Sequence, residues 1–127
     1  MARSSASEVG RRLLADMAAW PERWCYSTDD LPLGEKIVVA VEPFLRTLVD
    51  RGAAETTLRR HFGNVFFLGG DIIRAAQSDS DIQQLTGREL LRRFVDEEGG
   101  PFLYENKEEQ RLFDATCRKL SRFVSSE

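Results

Sequence analysis

Histidine occurs once in the 127 residues, cysteine twice and lysine three times. The single histidine, His61, excludes a paired-imidazole metal site and leaves one imidazole at most for a nucleophile–base pair. The cysteines, Cys25 and Cys117, lie far apart and outside any CxxC or Cys/His cluster, so neither a disulfide framework nor a zinc site is expected and both read as reduced core thiols. Calcium-loop spacing is missing too, and no metal or cofactor is expected. No stretch approaches the roughly 20 apolar residues of a membrane span. The opening MARSSASEVGRRLLADM has no apolar run of signal-peptide length, and the expectation is a cytoplasmic protein. A phosphate-cradling glycine loop is also absent, since Gly69-Gly70 and Gly99-Gly100 are too short and follow no predicted strand. The acid pairs Asp29/Asp30 and Glu97/Glu98 sit in polar runs and read as solvated surface. An ordinary enzyme is therefore not expected.

Helical periodicity dominates what is present. From Ala54 to Ala76, the residues Leu58, His61, Phe62, Val65, Leu68, Gly69, Ile72, Ile73 and Ala76 recur at three- and four-residue steps, which places them on one side of a helix. The rest of the chain is organised around that stripe. Before it, Ser7 is a candidate cap for a first helix carrying Val9, Leu13, Met17 and Trp20 inward, and Pro21 ends or bends that helix. The segment PERWCYSTDDLP reads as an ordered connection whose aromatics cover an edge of the core; Trp20 and Trp24 are alternatively a docking site for a partner. A second helix from about Leu33 carries Ile37, Val41, Phe44, Leu45, Leu48 and Val49 and ends at Gly52, with Pro43 predicting a kink or a fresh start. The Gly69-Gly70 pair, at about 1 kcal/mol per glycine relative to alanine, demands either close approach of a neighbour or a kink, or else a backbone surface open to a ligand.

After the central helix, Ser78 or Ser80 is expected to cap a short turn, and Thr86 with Glu89 forms a capping box for a helix holding Leu90, Leu91, Phe94 and Val95. Gly99-Gly100-Pro101 stops it. Phe102, Leu103 and Tyr104 lack helical spacing and read as a short extended plug. Asn106 with Glu109 opens a last helix, with Leu112, Phe113, Thr116, Cys117, Leu120, Phe123 and Val124 on one side and Arg111, Arg118 and Arg122 opposite. The expected fold is all-α: one domain over 1–127, a bundle of four to five helices, with an N-terminal helix and aromatic connection over 1–32 and a helical core over 33–127.

The formal charge of −3 conceals a segregation: Asp96 to Glu109 holds six acids against one lysine, which leaves the remainder net positive. Eight of the fifteen arginines fall into clusters, Arg59/Arg60 beside the central helix N-terminus, Arg88/Arg92/Arg93, and Arg111/Arg118/Lys119/Arg122. Arginine forks and free helix N-terminal amides both suit phosphate. A phosphate-backbone site follows if two clusters share a face.

The segment PFLRTLVDRGAAETTLRRHFGNVFFL, Pro43 to Leu68, resembles the SAM-like core-binding domain of phage integrases and related tyrosine recombinases, where a helix ending in Phe-Leu-x-x-Leu precedes a glycine turn and a helix opening with threonine. Phe44, Leu45, Leu48, Gly52, Thr57, Leu58, His61 and Leu68 carry the likeness, and Ala54 stands where a serine cap is usual. The chain also resembles a set of short bacterial helical proteins of unassigned function with an Asn-x-x-x-Leu-Gly-Gly-x-Ile-Ile signature, here Asn64, Leu68, Gly69, Gly70, Ile72 and Ile73. The integrase likeness lacks the catalytic domain and implies non-catalytic DNA binding. The expected function is thus a non-enzymatic accessory domain holding DNA phosphates with Arg59, Arg60, Arg92 and Arg93. The alternative is a protein-interaction module, a homodimer or an accessory or inhibitor subunit, using Trp20, Trp24 and the acidic stretch against a basic partner.

Overall fold

The computed structural model describes the backbone of residues 4–126 and the side chains of residues 8–126. Among them are five α-helices of eight residues or more and one of five: α1 (Ser4–Asp16), α2 (Trp20–Trp24), α3 (Leu31–Asp50), α4 (Glu55–Ala76), α5 (Gly87–Phe94) and α6 (Lys107–Ser125). There is no strand among the described residues, only an isolated bridge between Asp96 and Gly99. The all-α bundle read from periodicity is the architecture observed. No helix among the described residues is long and apolar enough to cross a membrane.

The centre is α4. All nine positions of its apolar stripe are buried, and α1, α2, α3 and α6 pack around it while α5 rests on α3 and α6. The stripe works because a 22-residue helix can offer neighbours on both flanks of one wide apolar face. Leu58, Leu68, Ile72 and Ile73 are at most 1% exposed. His61 and Asp71 are the buried polar residues of α4, and Asp71 is paired with Arg74 one turn on.

Several local expectations are corrected. Helix α1 begins at Ser4, so Ser7 lies inside it rather than at its cap. The PERWCYSTDDLP connection is itself mostly helical: a 3-10 turn at Met17–Ala19 leads into α2, whose second residue is Pro21, and a second 3-10 turn at Thr28–Asp30 leads into α3. Proline fits that first helical turn because no intrahelical donor is needed there. Asp30 is buried rather than solvated; its carboxylate accepts from the Tyr26 and Ser27 amides at 2.9 and 3.3 Å and from Gln77 Nε2 at 3.1 Å. The Gln77 hydrogen bond, offset by burial and helped by the two amides, holds the Asp30 pKa below the ordinary carboxylate value. Asp29 stays exposed.

Pro43 neither breaks nor restarts α3, which runs from Leu31 to Asp50. Proline deprives the Val39 carbonyl of its usual donor, but Pro43 is exposed and Val39 is 73% exposed, so water reaches that side of the helix. The end of α3 follows expectation. Gly52 adopts φ +77°, its N–H donates to Val49 O and the Ala53 N–H to Leu48 O, the paired bonds of a Schellman ending. Further on, Asp79 rather than Ser78 or Ser80 caps the 3-10 turn at Ser80–Gln84. The Thr86/Glu89 capping box has both halves, whereas Asn106 accepts from the Glu109 amide without the reciprocal bond.

The segment after Gly99-Gly100-Pro101 forms no strand. Its backbone is held by one side chain on α6: Gln110 Oε1 accepts from the Leu103 and Tyr104 amides at 2.9 and 3.0 Å, and Gln110 Nε2 donates to Pro101 O and to Asp114 Oδ1. A Cβ on Gly100 would sit 2.5 Å from Cys117 Sγ, so the glycine lets this loop press onto α6. Cys117 is buried, which pushes its thiol pKa up to about 12. Gly63, by contrast, has nothing within 4 Å of a built Cβ. Gly63→Ala should stabilise the protein by about 1 kcal/mol, through helix propensity and lost unfolded-state freedom alone, read as a higher urea midpoint with unchanged m-value.

Candidate nucleic-acid interface

The four arginines singled out from sequence do not form one patch. Arg59 is held by Glu55 at 3.0 Å in an i,i+4 pair, and Arg93 by Asp79 at 2.8 Å. Both charges are answered locally. At the start of α4 the Glu55 carboxylate also occupies the first turn, so its own charge opposes an anion at those amides. Arg60 and Arg92 are exposed and in no ion pair among the described residues.

Arg60 belongs to a different group from the one its sequence neighbours suggest. Burial lowers the His61 pKa to about 4, with the positive charges of Arg60 and Lys119 adding to the shift, which places both cations around one imidazole. Lys119 in turn lines a groove of about 410 Å³ with Arg51 and Arg122, between the last turns of α3 and α6. Thr47, Leu48, Phe44, Phe123 and Ser126 complete its wall, and no carboxylate among the described residues does. An adjoining groove of about 840 Å³ carries Arg92 and Arg122 on one wall, with Asp96 and Glu97 also lining it. Arg122 lines both grooves and so joins Arg51 and Lys119 to Arg92.

The local reason for these cations is helix polarity. Arg51 follows the last residue of α3, and Arg122 lies in the last turn of α6, where unpaired carbonyls favour cations. None of Arg51, Lys119 and Arg122 is in an ion pair among the described residues. The hydroxyls nearby are committed to backbone: Thr47 Oγ1 donates to Pro43 O and Ser126 Oγ to Phe123 O, both at 2.9 Å. The groove therefore offers charge on long side chains above an apolar and aromatic floor. No known protein family, curated protein or solved structure matches this chain.

The interior beside this groove is polar and fully paired. His61 Nδ1 lies 2.7 Å from Thr116 Oγ1, and Asn64 Nδ2 donates to the same oxygen at 2.9 Å and to Leu112 O at 3.3 Å. His61 and Thr116 are 2% and 1% exposed. A hydroxyl beside an imidazole resembles a nucleophile and base, but substrate has no access to this pair. With a pKa near 4 the imidazole is also a weak base at neutral pH. What the cluster does is satisfy polar groups between α4 and α6. Among the described residues no group of three or more His, Cys, Asp or Glu is placed to hold a metal ion.

Trp20 and Trp24 lie in the core, 5% and 7% exposed. Trp24 Nε1 donates to Phe66 O at 2.9 Å, and its six-membered ring lies over Gly69, where a Cβ would come within 2.2 Å. Gly69 is thus explained by close approach, Gly70 is not, and the indoles present no open surface. The exposed aromatic of this connection is Tyr26, at 66%, and two others lie elsewhere. Phe102 is 73% exposed and Phe67 54%, with Tyr104 edge-on to Phe67 at 6.4 Å. A third groove, about 490 Å³, runs between α3 and α5 and is lined by Pro32, Val39, Ala40, Pro43 and Leu91 among others.

Sequence inspection grouped Lys119 with Arg122 but passed over Arg51. No local signal marks it, because its relevance comes from two helix ends meeting in space.

Proposed function

We propose that the chain is a non-enzymatic helical domain that binds nucleic acid, DNA in the first instance, through backbone phosphates held in the groove of Arg51, Lys119 and Arg122. Arg60 and Arg92 extend the path on either side. The observation that carries this reading is a set of cations in a groove that no carboxylate among the described residues lines, in a protein whose formal charge is −3. Arg59 and Arg93, by contrast, are each held by an acid. The likeness of Pro43–Leu68 to the DNA-clamping domain of tyrosine recombinases supports the same reading.

The test is a titration against a random duplex at several salt concentrations. Three phosphate contacts correspond to a slope of about −3 in log K against log salt. Lys119→Glu with Arg122→Glu should abolish binding, and Arg51→Ala alone should lower the slope by about 1. Arg59→Ala and Arg93→Ala should leave it unchanged. Dependence on Arg59 and Arg93 instead of the groove residues would overturn this site.

A second reading, a protein-interaction module, is favoured by Phe102. The Gln110 clamp fixes the backbone on either side of it, with Leu103 and Tyr104 packed on the core, while the phenyl itself is exposed beside a groove also lined by Glu105, Lys107, Arg111, Asp114 and Arg118. A rigidly displayed aromatic is a common anchor of an interface. If the partner is a second copy, sedimentation at high concentration should show twice 14.5 kDa, reverting to monomer in Phe102→Asp. A wild-type monomer removes the homodimer.

A further inference from the structure

The groove between the ends of α3 and α6 holds an aromatic ring as well as cations. Phe123 is half-buried in its wall, backed edge-on by buried Phe44 with centroids 5.8 Å apart and ring planes at 64°. That contact fixes the ring, so little freedom is lost when something lies against it. The volume, about 410 Å³, falls within the range of small-molecule clefts. A duplex offers such a cleft only phosphates, because its bases are stacked inside. An unpaired strand offers phosphates and the flat faces of bases together.

We infer that the groove takes single-stranded nucleic acid, with phosphates against Arg51, Lys119 and Arg122 and one base stacked on Phe123. This rests on the phosphate-binding reading above and narrows its ligand. The three cations are exposed, while of the apolar lining Phe44 is buried and Leu48 and Phe123 are half-buried, which suits a nucleotide with its charge outward and its base inward. Base–aromatic stacking is tolerant of sequence, so no strong sequence preference accompanies it.

The experiment measures fluorescence anisotropy with labelled oligothymidylate and oligouridylate of about 16 nucleotides and a duplex of the same length. For the wild type the expected result is at least one of the single strands bound about tenfold more tightly than the duplex, the stronger of the two identifying DNA or RNA as the source. Phe123→Leu keeps apolar contact with Phe44 and should bring single-strand affinity down to the duplex level, leaving duplex affinity and salt slope unchanged. Phe123→Tyr keeps the ring and should keep the preference, which separates stacking from any loss of folding in the leucine variant. Equal binding of duplex and single strands by the wild type, or a parallel loss of both in Phe123→Leu with its helical content intact, overturns the inference and leaves phosphate binding standing. Absence of binding to every oligomer at low salt overturns both.

Discussion

Gly69→Ala should destabilise the protein by about 2–4 kcal/mol, a large effect for one methyl group. Helix propensity alone predicts the opposite, a gain of about 1 kcal/mol. The sign is reversed by Trp24. A Cβ at position 69 would lie 2.2 Å from Trp24 Cζ2 and 2.6 Å from Cη2, and the indole cannot simply swing away. Its Nε1 is bonded to Phe66 O, its ring is stacked on Phe66 at 5.8 Å and tilted against Trp20 at 5.6 Å. Moving it would strip a buried N–H of its acceptor and open the seam between α2 and α4. Neighbouring Gly70 offers the control, since its added Cβ would meet Trp24 Cδ1 at an ordinary 3.5 Å. Urea unfolding of Gly69→Ala, Gly70→Ala and Gly63→Ala checks the set. A Gly69→Ala variant as stable as Gly63→Ala would show that Trp24 does not pack there.

Between pH 6.5 and about 4 the protein should lose on the order of 2–3 kcal/mol of stability through His61. In the folded state burial, with Arg60 and Lys119 adding repulsion, lowers the imidazole pKa from 6.5 to about 4. Above pH 6.5 the ring is neutral in both states and stability from this source is complete. As pH falls below 6.5 the unfolded chain takes up a proton that the folded chain refuses, so unfolding is favoured until about pH 4. There the folded state protonates as well and the loss levels off. Asp30 continues the trend at lower pH, because its folded pKa is depressed below 3.8 and the stability it contributes is lost as that carboxylate is protonated. His61→Gln can still hydrogen-bond Thr116 but cannot titrate. Its denaturant midpoint should be nearly flat from pH 6.5 to 4.5, where the wild type declines. An equal decline in both proteins would assign the acid sensitivity to other groups.

Which features were legible in the sequence depends on how local their causes are. The α4 stripe was readable in full, since its nine apolar positions are tied to one another by helical geometry and each one is buried. The ending at Gly52 and the Thr86/Glu89 capping box were readable for the same reason, as their bonds join residues within one or two turns. The pairing of Glu55 with Arg59 was legible too, four residues apart on a helix. Asp30, bonded to Gln77 across 47 residues, was not. The same holds for Gln110, whose amide organises the loop before α6 although nothing in its local pattern distinguishes it from a solvent-facing residue.

By itself, then, the sequence determined the helices, their inward faces and most of their ends, because periodicity and capping act within a few residues. Tertiary structure decided what each conspicuous residue is for. It placed Trp24 over Gly69 and so turned a candidate docking pair into core. It buried His61 against Thr116, two elements away. It also divided the arginines, leaving Arg93 with Asp79 and gathering Arg51, Lys119 and Arg122 from the ends of α3 and α6. Charge and close approach act through space between residues far apart in the chain, and only packing brings those residues together.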